Sequence, residues 1–123
     1  MNKDVVENHE TLYRVVKKSY PDAFIEGQAS PALFMDKRGL SVDRDGNRDE
    51  DYIIDKFKHR FKSDYGGAVS ITAFDCRQAG THPIPNPTNS NKYHAEIHES
   101  DNIVEISLLK AFKLAQLCTK INK

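Results

Sequence analysis

The stretch Lys92-Tyr93-His94-Ala95-Glu96-Ile97-His98 organises the chain. Side chains alternate along a strand, so Tyr93, Ala95 and Ile97 turn to one face and His94, Glu96 and His98 to the other. An apolar face backed by a titratable one is the pattern of a half-buried strand. Such a strand needs neighbours in a sheet and a helix over its apolar side.

Downstream, Ser100-Asp101-Asn102 marks a turn, and a helix is expected from about Ile106 to Ile121. Leu108, Leu109, Ala111, Phe112, Leu114, Ala115, Leu117, Cys118 and Ile121 cover most of its circumference; only Lys113, Gln116 and Lys120 form a polar strip. A helix this apolar is either central or partly covered by a partner. In the second case Leu114 and Leu117 are expected to dock the partner.

Upstream, residues 77–91 hold Gly80, Pro83, Pro85 and Pro87 and read as a long loop. Residues 68–74 alternate Val69, Ile71 and Ala73 against Ser70, Thr72 and Phe74, a strand that follows Gly66-Gly67. A helix is expected over residues 49–62. At 100° per residue, Ile53, Ile54, Phe57 and Phe61 share an arc of about 100°. Asp49, Glu50 and Asp51 start this helix and Lys58, Arg60 and Lys62 end it, the charge order that suits its dipole. Leu40-Ser41-Val42-Asp43 is another half-buried strand. Residues 31–35 read as a short strand with Pro31 at its start, and 12–16 as a first strand. Residues 1–10 are polar and read as either frayed or a short helical lead-in. The expected fold is one α+β domain over 1–123. It has about five strands in a mostly antiparallel sheet, with the 49–62 and 106–121 helices packed on one side.

The 123 residues are 38% apolar and 29% charged, and six Phe and five Tyr supply large buried surfaces. Eighteen basic residues balance eighteen acidic ones, which argues against a dedicated nucleic-acid binder. Two cysteines, Cys76 and Cys118, are too few for a zinc knuckle or a disulfide scaffold. No apolar run follows Met1-Asn2-Lys3-Asp4, and no stretch approaches a span of ~20 apolar residues, so a cytoplasmic protein with no membrane contact is expected.

Four groups of residues could carry chemistry. His94, Glu96 and His98 share a strand face, where residues two apart lie ~6.5–7 Å from each other. Imidazoles at that spacing can converge on one metal with Glu96 as ligand or general base, and His82 or Asp101 as a further ligand. The plainer reading is the solvent face of a half-exposed strand. Asp43, Asp45, Asn47, Asp49 and Asp51 have the alternation of a calcium loop. Glycine, however, stands fourth as Gly46 and Ile54 takes the place of the last glutamate, so a turn into a helix is expected. Lys56, Lys58, His59, Arg60 and Lys62 could meet phosphates, but lie mostly off the apolar arc, as a solvated helix face would. Arg14, inside an apolar strand, is expected either to anchor a carboxylate or phosphate or to pair with Asp43. No P-loop, dinucleotide fingerprint, nucleophile elbow or zinc-protease helix motif is present.

Leu12-Tyr13-Arg14, Ser30 with Phe34 and Asp36, Leu40-Ser41-Val42-Asp43 and a Pro-rich loop into His94-Ala95 before an apolar helix follow one another in an order that resembles a group of small uncharacterised bacterial proteins. The group shares Leu-Tyr-Arg, Ser-Val-Asp and His-Ala motifs. The resemblance implies only that Arg14, Ser41, Asp43 and His94 are residues to test together; the acidic run and His98 lie outside it.

The leading expectation is a non-catalytic binding or accessory subunit of a bacterial multi-protein system, one of stress response or phage defence. It would bind a larger protein through its C-terminal helix. The alternative is a small metal-dependent hydrolase or nuclease. A divalent metal such as zinc would be held by His94, Glu96 and His98, with His94, Glu96, Arg14 and Asp43 as the catalytic set. Nucleic-acid binding through the 56–62 patch is the third and least favoured reading.

Overall fold

The computed structural model describes residues 1–123. In chain order the strands are β1 (Thr11–Lys17), β2 (Phe24–Ile25), β3 (Gln28–Ala29), β4 (Leu40–Arg44), β5 (Tyr65–Thr72), β6 (His82–Pro85), β7 (His94–His98) and β8 (Thr119–Ile121). The helices are α1 (Glu50–Phe61), α2 (Ala73–Gln78) and α3 (Leu108–Leu117). Six strands make one sheet in the order β6-β7-β4-β1-β5-β8, and β2 and β3 form a separate hairpin. Every pairing is antiparallel, so the fold is α+β with an antiparallel sheet.

Cross-strand register sorts the side chains. Leu12 stands opposite Arg44 and Ile71, Leu40 opposite Ile97, and Val42 opposite Ala95. This face meets Val6, Leu33, Phe34, Cys76, Ile106, Ala111 and Leu114 in a core of 18 buried residues. Tyr13 and Ala68 turn the other way and, with Ile121, pack under Ile53, Ile54 and Phe57 of α1. Helices therefore cover both faces rather than the one expected. The physical reason lies in β1 and β5, which carry apolar groups on both sides and need burial on both. The β4–β7 half of the α1 face keeps a polar surface of Ser41, Asp43, His94, Glu96 and His98.

Several local expectations change. Residues 31–34 form a 3₁₀ turn, not a strand: Pro31 starts it with a fixed φ, and Leu33 and Phe34 drop into the core. The 68–74 strand stops at Thr72, whose hydroxyl accepts the Asp75 N–H at 3.1 Å and opens α2. The expected loop 77–91 contains β6. Its prolines, Pro83 and Pro85, are tolerated because β6 is an edge strand. α3 ends at Leu117, and Ile121 belongs to β8 rather than to the helix.

The N-terminal lead-in is anchored, not frayed. Val6 is fully buried, and Glu10 meets Arg44 in a two-pronged ion pair, Nε to Oε1 and Nη2 to Oε2, both at 2.7 Å. Arg44, 1% exposed, also donates to the Val5 carbonyl at 2.9 Å.

Candidate functional site

β1 pairs with β5 along its length, and β4 pairs with β7 from Leu40 to Asp43. Between β1 and β4, however, only Leu12–Arg44 and Tyr13–Asp43 are in register. The ladder stops there although β1 continues to Lys17 and β4 begins at Leu40. Arg14 fills the resulting gap. Its Nε donates to the Leu33 carbonyl at 2.9 Å and its Nη1 to the Ser41 carbonyl at 3.0 Å, so a side chain takes over β4 bonding from the backbone. Its guanidinium lies 5.4 Å from the Tyr20 ring centre. Burial pulls the Arg14 pKa below its ordinary value; Tyr20 and the charge of Asp36 oppose that pull without cancelling it.

A cleft of about 380 Å³ lies over this gap. Arg14 and Asp43 line it at the β1–β4 junction, Ser41, His94 and Glu96 from the β4–β7 half of the sheet. Phe57, Arg60 and Phe61 come from α1. Lys17, Tyr20, Asp36 and Arg38 complete the polar lining. Four expected site residues, Arg14, Asp43, His94 and Glu96, thus border one cavity, and Ser41 joins them. His98 does not.

Each acidic group of the cleft has a partner of its own. Asp43 Oδ1 accepts from Asn91 Nδ2 at 3.0 Å, and Oδ2 lies 3.8 Å from Arg48. Glu96 Oε1 accepts from His98 Nε2 at 2.9 Å. Asp36 Oδ1 accepts the Arg38 backbone N–H at 2.9 Å. The Glu96 carboxylate can lie against the 36–39 turn because Gly39 has no Cβ. A methyl placed there would stand 2.6 Å from Glu96 Oε1, and φ is +107°. His94 Nδ1 lies 2.7 Å from the Asn86 carbonyl. A carbonyl only accepts, so Nδ1 carries the hydrogen and donates it.

This geometry corrects three expectations. Arg14 makes no ion pair with Asp43, which is held by Asn91 and Arg48 instead. His94, Glu96 and His98 do not converge as a metal set, and no three His, Cys, Asp or Glu side chains gather closely enough to hold an ion. The two histidines are four residues apart, roughly 13 Å along the strand, and are bonded to different partners. Nor do His82 and Asp101 complete a metal shell; they pair with each other at 3.1 Å. The acidic run from Asp43 feeds a turn closed by the Arg48 N–H to the Asp45 carbonyl, followed by α1, as expected.

Lys17, Tyr20, Asp36 and Arg38 were not expected in the cleft, and Arg60, which the sequence allowed to meet phosphates, was favoured as part of a solvated face. The alternation of β1 placed Arg14 correctly in a strand, but the broken ladder that turns it into a cavity wall depends on a partner strand some 27 residues away.

A second surface lies on α3. Ala111 and Leu114 face the core, whereas Leu108, Leu109 and Phe112 are 64%, 66% and 50% exposed. Helical geometry puts these three within an arc of about 100°. Leu114 is fully buried, so it cannot dock a partner, while Leu117 is exposed. Ser107 caps the helix by accepting the Lys110 N–H, and Glu99 holds Lys110 Nζ at 3.1 Å, which fixes the helix start against the chain after β7.

No family model matches the chain, and no curated protein or solved structure matches it. No helix is long and apolar enough to cross a membrane.

Proposed function

We propose that the protein is a non-catalytic accessory subunit that binds a larger protein through the exposed face of α3. The observation that carries this reading is the set Leu108, Leu109 and Phe112, each at least half exposed on one helical arc. Apolar groups clustered in this way on a surface are costly in water and are the usual core of a protein interface. A heterologous partner fits better than a second copy. Lys113, also exposed, lies at the edge of this arc, about 40° beyond Leu109, where an acidic partner surface complements it and a second copy brings only the same basic-edged surface. A partner with an apolar socket and an acidic rim satisfies both features.

The test is native mass spectrometry of the tagged full-length chain purified from its own host, beside the Leu109→Asp/Phe112→Asp double variant. The expected result is a defined complex with one larger protein for the parent chain and a bare, folded monomer for the variant. A complex that survives in the folded double variant, or a homodimer alone, overturns the proposal.

A further inference from the structure

The cleft over the β1–β4 gap has an imbalance that the docking face does not explain. Arg14, Lys17, Arg38 and Arg60 line it, and none of the four lies within ion-pair distance of a carboxylate. The acidic groups Asp36, Asp43 and Glu96 line the same cavity, yet each is engaged by another group: the Arg38 backbone, Asn91 with Arg48, and His98. Three of the four, all but Arg38, rest on aromatic rings instead. Arg14 lies 5.4 Å and Lys17 5.8 Å from the Tyr20 ring centre, and Lys17 and Arg60 each lie 5.2 Å from that of Phe61.

Arg14 is the decisive residue. It is 6% exposed, and a buried guanidinium with no carboxylate in direct contact is expensive; Asp36 acts on it only from beyond ion-pair distance. Its two internal bonds go to neutral carbonyls through Nε and Nη1. Apart from Tyr20, whose hydroxyl favours the charged form, the guanidinium has no further polar partner; Nη2 is not among sealed, unsatisfied atoms, and Arg14 lines the cleft. A planar guanidinium with an open edge is matched to an oxyanion that offers two oxygens. The cavity, about 380 Å³, is in the range that holds a small ligand.

We propose that this cleft binds a small molecule through a multiply charged oxyanion group, a phosphoryl or polycarboxylate group, seated on Arg14 and flanked by Lys17, Arg38 and Arg60. Tyr20 and Phe61 hold Lys17 and Arg60 in place, and Asp36, Asp43 and Glu96 are each hydrogen-bonded to another group, although the charge of Asp36 still acts on Arg14. His94, its Nδ1 held on the Asn86 carbonyl, leaves Nε2 as a further hydrogen-bonding atom for the same ligand.

The test is isothermal titration of the full chain with sodium pyrophosphate and, separately, with sodium citrate, at constant ionic strength. The expected result is saturable one-to-one binding of at least one probe. Binding should fall at least tenfold in Arg14→Met, and three- to tenfold in each of Arg38→Ala and Arg60→Ala. The two arginines of the second pair are exposed, so those variants remain informative if Arg14→Met does not fold. Tighter binding of pyrophosphate marks a phosphoryl ligand, and tighter binding of citrate a carboxylate one. No saturable binding of either probe overturns the proposal. So does binding that is unchanged in the folded Arg38→Ala/Arg60→Ala double variant, or binding only of a ten-residue oligothymidylate, which would signify a basic surface rather than a built cleft.

Discussion

Removing Glu10 alone should be far more damaging than removing Glu10 together with Arg44. The pair is 4% and 1% exposed and joined by two bonds of 2.7 Å. Glu10→Leu leaves the Arg44 guanidinium buried with only the Val5 carbonyl, and Arg44→Met leaves the carboxylate with only the Glu7 N–H. Breaking a buried pair from one side costs about 3–5 kcal/mol, whereas replacing both charges with apolar groups of similar volume is often close to neutral. For 123 residues the unfolding entropy is roughly 0.26 kcal/mol per kelvin, so a 4 kcal/mol loss lowers Tm by about 15 °C. Urea and thermal melts of Glu10→Leu, Arg44→Met and the double variant measure this. The double variant should be more stable than either single one. Single variants that cost under about 1 kcal/mol and simply add would refute the reasoning. The pH profile gives a second readout. Burial alone would raise the Glu10 pKa, but the Arg44 and Glu7 bonds and the Arg44 charge outweigh it and hold the carboxyl below the usual glutamate value. A lowered folded pKa gives stability that is present above the unfolded value near 4.3 and lost as pH falls through the folded one. The acid limb of the parent protein should therefore be steeper than that of the double variant.

Gly46 has φ of +56°, and a Cβ there would stand 2.3 Å from the Tyr93 ring. Gly46→Ala should cost about 1–2 kcal/mol in urea melts from backbone strain alone, and more if Tyr93 is pushed off Arg48, whose guanidinium sits 3.6 Å above it; an unchanged midpoint would contradict this. Thr72→Ala removes the cap of α2 and should cost about 1 kcal/mol by the same assay. Burial pushes the Cys76 thiol up to about 12 and the Cys118 thiol up to about 11. Both should react with a thiol reagent at pH 8 more slowly than free cysteine, with Cys76 the slower, and at equal speed in denaturant. Rapid native labelling of Cys76 would contradict its place in the core.

β1, β4, β7 and α1 were legible because their burial follows a local period: Leu40 and Val42 inward, Ser41 and Asp43 outward, and Ile53, Ile54 and Phe57 on one arc. α2 is six residues long, too short to show a period; the signal for it was the Thr72 cap three residues before Asp75. β6 was hidden by Pro83 and Pro85, which are compatible with a strand only at a sheet edge, and edge position is a property of topology. The N-terminal anchor was hidden for a similar reason. Glu10 looks like a surface acid until Arg44, one residue past the expected strand end, is placed beneath it. Arg14, Asp43, His94 and Glu96, singled out in the sequence, line one cleft, but the pairings expected among them are not made. The hydrogen bonds of Asn86, Asn91, Arg48 and His98 decide which groups are engaged and which face the cleft, and these cross between elements.

The most direct measurement is the affinity of the purified chain for the partner recovered with it, for the parent and for Leu109→Asp/Phe112→Asp. Both substitutions lie on exposed positions, so the variant should keep its Tm. If the exposed arc of α3 is the docking face, affinity should fall at least about 100-fold, two central apolar contacts being lost and two charges buried against the partner. An affinity within twofold of the parent, in a variant that remains folded, would contradict the account.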